Sequence, residues 1–209
     1  MREEVRQFLN DNMVLLKRDD FKELFLRARQ YNIPGTWRTE NLWPEVYDVL
    51  TSNGIYPLEE MDTIPEYFFV KTNVKKLVIP RNIKKIESNS IFNSEVVSIY
   101  IENPDVSIAP ESMTNLPKLQ SLNFPQGMIS VPSLKLDSVP ELKIIRIPES
   151  VVRIKAGAFT NIPDDTVIVT PYRKDYSKKL NVSDAEIEFY KKHLRFTHAP
   201  ENVEVEDEI

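Results

Sequence analysis

Between residues 76 and 170 the apolar positions fall into columns. Leu77, Ile99, Leu122, Ile145 and Ile168 form the first, and Ile79, Ile101, Phe124, Ile147 and Thr170, two places on, the second. Three more follow: Ile86, Ile108, Val131 and Ile154; then Ile91, Met113, Leu136 and Phe159; then Leu116, Val139 and Ile162. Successive members stand 22 or 23 residues apart. Proline follows the second column at 80, 125, 148 and 171, with Glu102 the exception, and the fifth at 117, 140 and 163. Side chains alternate along a strand, so an apolar-x-apolar triplet buries its first and third residues. A unit this short cannot bury an apolar face alone, whereas stacked units can. Proline closes each strand because it has no N–H for the next ladder bond. The pattern predicts a solenoid of about five coils. Each has one short strand from the first two columns, with an opposite wall from the other three.

The flanks carry a different period. Residues 1–60 read as a helical N-terminal cap domain. A first helix spans about 2–10. A second opens at Asp19-Asp20 with Phe21, Leu24, Phe25 and Ala28 on one stripe and stops at Ile33-Pro34-Gly35. A third begins near Thr39 or Asn41, carries Trp43, Val46, Tyr47, Val49 and Leu50, takes Pro44 into its first turn and ends at Asn53-Gly54. Ile64 and Phe69 each lie 22 residues before Ile86 and Ile91, so the solenoid, 61–171, starts with a degenerate coil. Beyond it, Ser183-Asp-Ala-Glu186 has the form of a capping box, and a helix through Ile187, Phe189, Tyr190 and Leu194 to about Arg195 predicts a C-terminal cap within 172–198. The last stretch, 199–209, has five acids among its final nine residues and reads as an acidic disordered tail.

The run Ile147-Pro-Glu-Ser-Val-Val-Arg-Ile154-Lys-Ala-Gly-Ala-Phe159 resembles the unit of the BspA-like leucine-rich-repeat family, I-P-x-x-V-x-x-I-x-x-x-A-F. Ile79-Pro-Arg-Asn-Ile-Lys-Lys-Ile86-Glu-Ser-Asn-Ser-Ile91-Phe92 is similar to it as well. The copies at 99–120 and 122–142 depart from it, with Glu102 for proline and Met113 and Leu136 for phenylalanine. The resemblance covers about 62–171 and implies a short leucine-rich-repeat solenoid of about five 22–23-residue coils; with the helical caps read at both ends, the expected fold is α+β. It implies little about function, because the family is defined by structural positions. The leader phrase Gly54-Ile-Tyr-Pro-Leu … Ile64-Pro-Glu-Tyr-Phe resembles leader segments of repeat proteins carried by bacteriophages.

Composition narrows the chemistry. Glycine occurs at 35, 54, 127 and 157 alone, so no glycine-rich loop exists to cradle a phosphate. Cysteine is absent, which excludes disulfides, thiolate nucleophiles and cysteine-ligated metals. Two histidines, His193 and His198, offer few general bases. No catalytic residue, metal site, cofactor or small-molecule substrate is predicted, and the chain reads as a non-enzyme. The charged N-terminus and the lack of an 18-residue apolar run predict neither a signal peptide nor a membrane span. A cytoplasmic setting follows as the expectation, that of the host if the chain is phage-borne.

The candidate binding surface is the outward side of the solenoid strands. Its central column is Val78, Tyr100, Asn123, Arg146 and Val169, flanked by Lys76, Ser98, Ser121, Ile144 and Val167. Tyrosine and arginine are the types that carry most energy at interfaces, so a protein partner is expected there. Net charge is −5 overall, yet residues 71–171 carry 12 basic and 10 acidic groups. Lys71, Lys75, Lys76, Arg81, Lys84 and Lys85 suggest a basic edge, and with it nucleic-acid binding as a lesser alternative. Another alternative is a structural component of a viral or cellular assembly. The carboxylate clusters Asp164-Asp165 and Glu59-Glu60-Asp62 read as solvated turns, His193 as a helix-end charge, and Trp37 and Trp43 as buried cap residues.

Overall fold

The computed structural model describes residues 1–33, 39–155, 157–159, 161–170 and 192–196. Four helices begin the chain: α1 (Glu3–Asp11), α2 (Met13–Leu16), α3 (Phe21–Arg29) and α4 (Trp43–Ser52). Between α3 and α4, β1 (Tyr31–Asn32) pairs antiparallel with β2 (Thr39–Glu40), so Thr39 belongs to a strand and the third helix starts at Trp43. The α3 start is capped by Asp20, whose Oδ1 accepts from Glu23 N at 3.2 Å. At α4, Asn41 Oδ1 accepts from Trp43 N at 3.1 Å, and Pro44 sits in the first turn. Each cap satisfies one N–H that the helix leaves orphaned.

Coil by coil, the strands are β3 (Thr63–Ile64), β4 (Lys76–Ile79), β5 (Lys85–Ile86), β6 (Ser98–Ile101), β7 (Ser107–Ile108), β8 (Ser121–Asn123), β9 (Ser130–Val131), β10 (Ile144–Arg146), β11 (Arg153–Ile154), β12 (Val167–Thr170) and β13 (Leu194–Phe196). The long sheet runs β13-β12-β10-β8-β6-β4, every pair parallel. Its register reproduces the repeat. Leu77, Ile99, Leu122, Ile145 and Ile168 are successive Cα partners, and all are buried. The opposite wall pairs β3-β5-β7 and β11-β9, and it buries Ile64, Ile86, Ile108, Val131 and Ile154. Each such side chain taken from water contributes roughly 1.5–3 kcal/mol, set against the entropy of ordering the coil.

The helical cap closes the first coil with aromatics. The rings of Trp43 and Phe68 lie 4.8 Å apart, Trp43 and Phe25 5.3 Å, and Tyr47 and Phe69 5.5 Å. Phe68 and Phe69 belong to the degenerate coil, so α3 and α4 cover apolar surface that an uncapped solenoid would leave wet. Burial, with Asp48's charge second, pushes the Tyr47 phenol above its ordinary range.

Proline does not set the turns alone. Two positions per coil adopt left-handed backbone, and few are glycine. One series is Tyr67, Asn89, Glu111 and Gly157, with φ of 63°, 55°, 65° and 70°; the other is Lys71, Asn93, Asn115, Ser138 and Asn161, with φ from 51° to 64°. Asparagine tolerates this region better than other non-glycine residues. The turned backbone lets N–H groups donate to the next coil: Asn89 N to Glu111 O at 3.0 Å and Asn93 N to Asn115 O at 3.1 Å.

At the C-terminal end the expected helix differs from what is found. Lys192 and His193 are helical, but Leu194–Phe196 is a strand paired with β12. Leu194 is the Cα partner of Ile168, so it continues the first apolar column of the sheet. The remainder of that predicted helix, Trp37, His198 and the acidic tail lie outside the described residues.

Candidate interaction surface

The sheet positions its outward side chains in two straight rows, because the strands are parallel and in register. Lys76, Ser98, Ser121, Ile144 and Val167 form one row, and Val78, Tyr100, Asn123, Arg146 and Val169 the other. Lys76 and Val78 are exposed and the other eight half-buried. All the residues expected on this surface are therefore brought together.

Contacts across the strands hold the central row. Arg146 Nη1 donates to Asn123 Oδ1 at 3.2 Å, and Asn123 Nδ2 donates to Ile99 O at 3.1 Å. Lys76 Nζ stands 5.1 Å from the centre of the Tyr100 ring, in cation–π range. Three coils thus present a tyrosine, an amide and a guanidinium held by contacts with neighbouring strands.

Ion pairs run beside the sheet. Lys75 meets Glu95 at 3.4 Å, Lys118 meets Glu141 at 3.1 Å, Lys143 meets Asp165 at 2.6 Å and Lys192 meets Asp164 at 2.6 Å. The hydrogen bond from Lys118 holds the Glu141 carboxyl below its ordinary range, that from Lys143 does so for Asp165, and that from Lys192 for Asp164. The Asp164-Asp165 pair is consumed in joining coils. His193 is buried, with Nδ1 2.8 Å from Thr166 O. A carbonyl only accepts, so Nδ1 carries the proton, and this histidine anchors β13 rather than capping a helix in solvent.

The basic residues between 71 and 85 do not share one edge. Lys71 occupies a left-handed turn between β3 and β4, Lys75 is paired beside the sheet, and Lys76 lies on the sheet face. Arg81 is exposed in the turn after Pro80, while Lys84 and Lys85 stand at β5, where Lys85 pairs with Glu87 at 3.1 Å. They encircle a coil, which sequence proximity alone could not reveal. The clustered acids Glu59, Glu60 and Asp62 line an open groove of about 490 Å³ with Asp20, Lys22 and Lys84. Among the described residues no three potential metal ligands converge, and no helix is long and apolar enough to cross a membrane.

One structural residue escaped the sequence reading. Asn82 Nδ2 lies within hydrogen-bond reach of three carbonyl oxygens of the preceding segment: Leu58 at 2.6 Å, Glu59 at 3.1 Å and Met61 at 2.6 Å. Its signal is an asparagine just after the strand proline, and a similar use appears at Asn103, whose Nδ2 donates to Ile83 O at 2.7 Å.

Parallel strands in register at the repeat spacing, with a second wall of two-residue strands, define a short solenoid repeat protein. Over residues 54–171, more than half its length, the chain matches the BspA type leucine rich repeat region in six copies, and it belongs to that family. The match extends the repeat region from 61 back to Gly54. No curated protein matches the chain, and neither does any solved structure. Repeats of this kind generally mediate protein–protein interaction.

Proposed function

We propose that this chain is a non-enzymatic interaction module that binds a protein partner across the outward face of β4, β6, β8 and β10. The observation that carries this reading is the Tyr100–Asn123–Arg146 row, three side chains of interface-rich character on adjacent coils, with Asn123 bridging its neighbours. A shallow face of this sort suits another macromolecule better than a small ligand, which needs an enclosing pocket. The resemblance of the leader to those of bacteriophage repeat proteins supports a host-directed role in the host cytoplasm.

The test is capture from a host lysate, followed by titration of the captured protein against Tyr100→Ala/Arg146→Ala. A stoichiometric partner whose affinity falls about a hundredfold supports the reading, as expected for two central anchors. Unchanged affinity assigns the binding surface elsewhere. Steep salt-dependent binding of DNA or RNA that is lost on reversing Arg81, Lys84 and Lys85 would replace it with the nucleic-acid alternative.

A further inference from the structure

Two cations on the sheet face lack the partner that their neighbours have. Lys75, Lys118 and Lys143, beside the strands, pair with Glu95, Glu141 and Asp165. Lys76 and Arg146, on the face itself, meet no carboxylate among the described residues. Lys76 stands over the Tyr100 ring, and Arg146 donates to the Asn123 amide oxygen, so both contacts are with neutral groups. None of the ten outward positions is Asp or Glu. The charge on this face is answered by nothing on the face.

Arg146 has the more specific geometry. It is half-buried, and Asn123, itself held by the Ile99 carbonyl, engages Nη1. A guanidinium has five N–H groups, and those that remain can present the planar fork that a carboxylate fills with two hydrogen bonds. Strand spacing then sets a distance. Tyr100, Asn123 and Arg146 share one row on successive strands, so Tyr100 and Arg146 lie two intervals, or about 10 Å, apart. The Lys76 ammonium is 5.1 Å from the Tyr100 ring centre. It therefore stands about 10–15 Å from the guanidinium.

Alternate residues of an extended segment point the same way, and positions i and i+4 lie about 13 Å apart. Carboxylates at that spacing reach both cations, and the side chain at i+2 falls on Tyr100 and Asn123. Past Arg146 the face turns aliphatic, with Ile144, Val167 and Val169, where an apolar residue at i+6 would lie.

We propose that the partner seated on this face is recognised through an extended segment of the form acid-x-apolar-x-acid-x-apolar, its two carboxylates on Lys76 and Arg146. This rests on the face being the binding surface and names the chemistry that the partner brings to it. Nucleic acid fits less well, because its backbone charge is continuous whereas the face offers two cations with neutral residues between them.

The probe is a fluorescent peptide, Gly-Glu-Ser-Val-Ser-Glu-Ser-Val-Gly, titrated into the full chain beside the same peptide with Gln for Glu. The acidic peptide is expected to bind about tenfold more tightly, as two surface ion pairs imply. It is expected to shift the amide resonances of Tyr100, Asn123 and Arg146, and to weaken as salt rises from about 50 to about 500 mM. Lys76→Glu/Arg146→Glu is expected to invert the preference, losing the acidic peptide and binding its Lys-for-Glu counterpart. The milder Lys76→Gln and Arg146→Gln, taken singly, should each weaken the acidic peptide about threefold. Equal binding of the acidic and neutral peptides overturns the proposal, as do resonance shifts confined to the helices or the far wall. Oligothymidylate binding more tightly than the acidic peptide at the same resonances would assign the face to nucleic acid. If the acidic peptide leaves the face untouched while partner capture still requires Tyr100 and Arg146, this inference falls and the face reading stands. If capture survives Tyr100→Ala/Arg146→Ala, the face reading itself falls.

Discussion

Arg146 and Asn123 come from neighbouring coils, 23 positions apart, and meet at 3.2 Å on the open side of the sheet. Asn123 is held in turn by the Ile99 carbonyl. The arginine is thus oriented by an amide that the strand below holds in place. Asn123→Ala is expected to cost about 0.5–1.5 kcal/mol of stability, the worth of a partly exposed hydrogen bond. It is also expected to weaken partner binding by releasing Arg146. A double-mutant cycle with Arg146→Ala should return a coupling of about 0.5 kcal/mol or more in denaturant unfolding; strict additivity would show that the two side chains act independently.

The left-handed turns predict an inverted substitution pattern. At Asn93, with φ of 51°, glycine is expected to be tolerated and valine to destabilise. The valine variant should lie about 1–2 kcal/mol below the glycine variant, the penalty of a β-carbon in this region. Urea denaturation of both variants checks it, and equal stability would mean that the turn relaxes.

Asn82 ties the degenerate coil to the next one. Asn82→Ala leaves the carbonyls of Leu58, Glu59 and Met61 without this donor and is expected to cost about 1–3 kcal/mol. Hydrogen exchange should accelerate at Leu58–Glu60 and β3 before it does at β8 or β10. Uniform acceleration along the chain would indicate that the coils unfold as one unit.

The acids paired with lysines predict a pH dependence. Lysine hydrogen bonds lower the Glu87, Glu141, Asp164 and Asp165 carboxyls in the fold. Their contribution is therefore complete above the ordinary carboxylate range, about pH 4, and is lost as the pH falls through their lowered folded values. Lys135, bonded to Glu111 at 2.5 Å, is raised; its contribution holds below the ordinary lysine range and is lost as pH rises through the higher folded value. These groups are exposed or half-buried at the surface, so the slopes are shallow and salt-sensitive. Melting temperatures of Glu141→Gln/Asp165→Asn should fall less between pH 5 and about pH 3 than those of the native chain. Parallel curves would show that the pairs do not contribute.

Most of the solenoid was legible because its rule is one of side-chain burial. Leu77, Ile99, Leu122, Ile145 and Ile168 stand at one period, and a register that buries one must bury all. The outward row followed from the same alternation, which is why Tyr100, Asn123 and Arg146 were placed on one face from sequence. The left-handed turns were hidden because residues as different as Tyr67, Lys71 and Glu111 occupy them, so no residue type marks the position. The basic edge dissolved because residues 71–85 wrap around a coil, and linear distance says little about which side faces which. At β13 the helical pattern of the preceding residues ran on into Leu194 and Arg195, where pairing with β12 decides the conformation.

The most direct measurement is hydrogen exchange of the chain alone and in complex with a partner recovered from host lysate. The account predicts protection concentrated at Ser98–Ile101, Ser121–Asn123 and Ile144–Arg146, with α1 to α4 and the far wall unchanged. Protection confined to the helices or to β5, β7, β9 and β11, with the sheet strands unaltered, would contradict it.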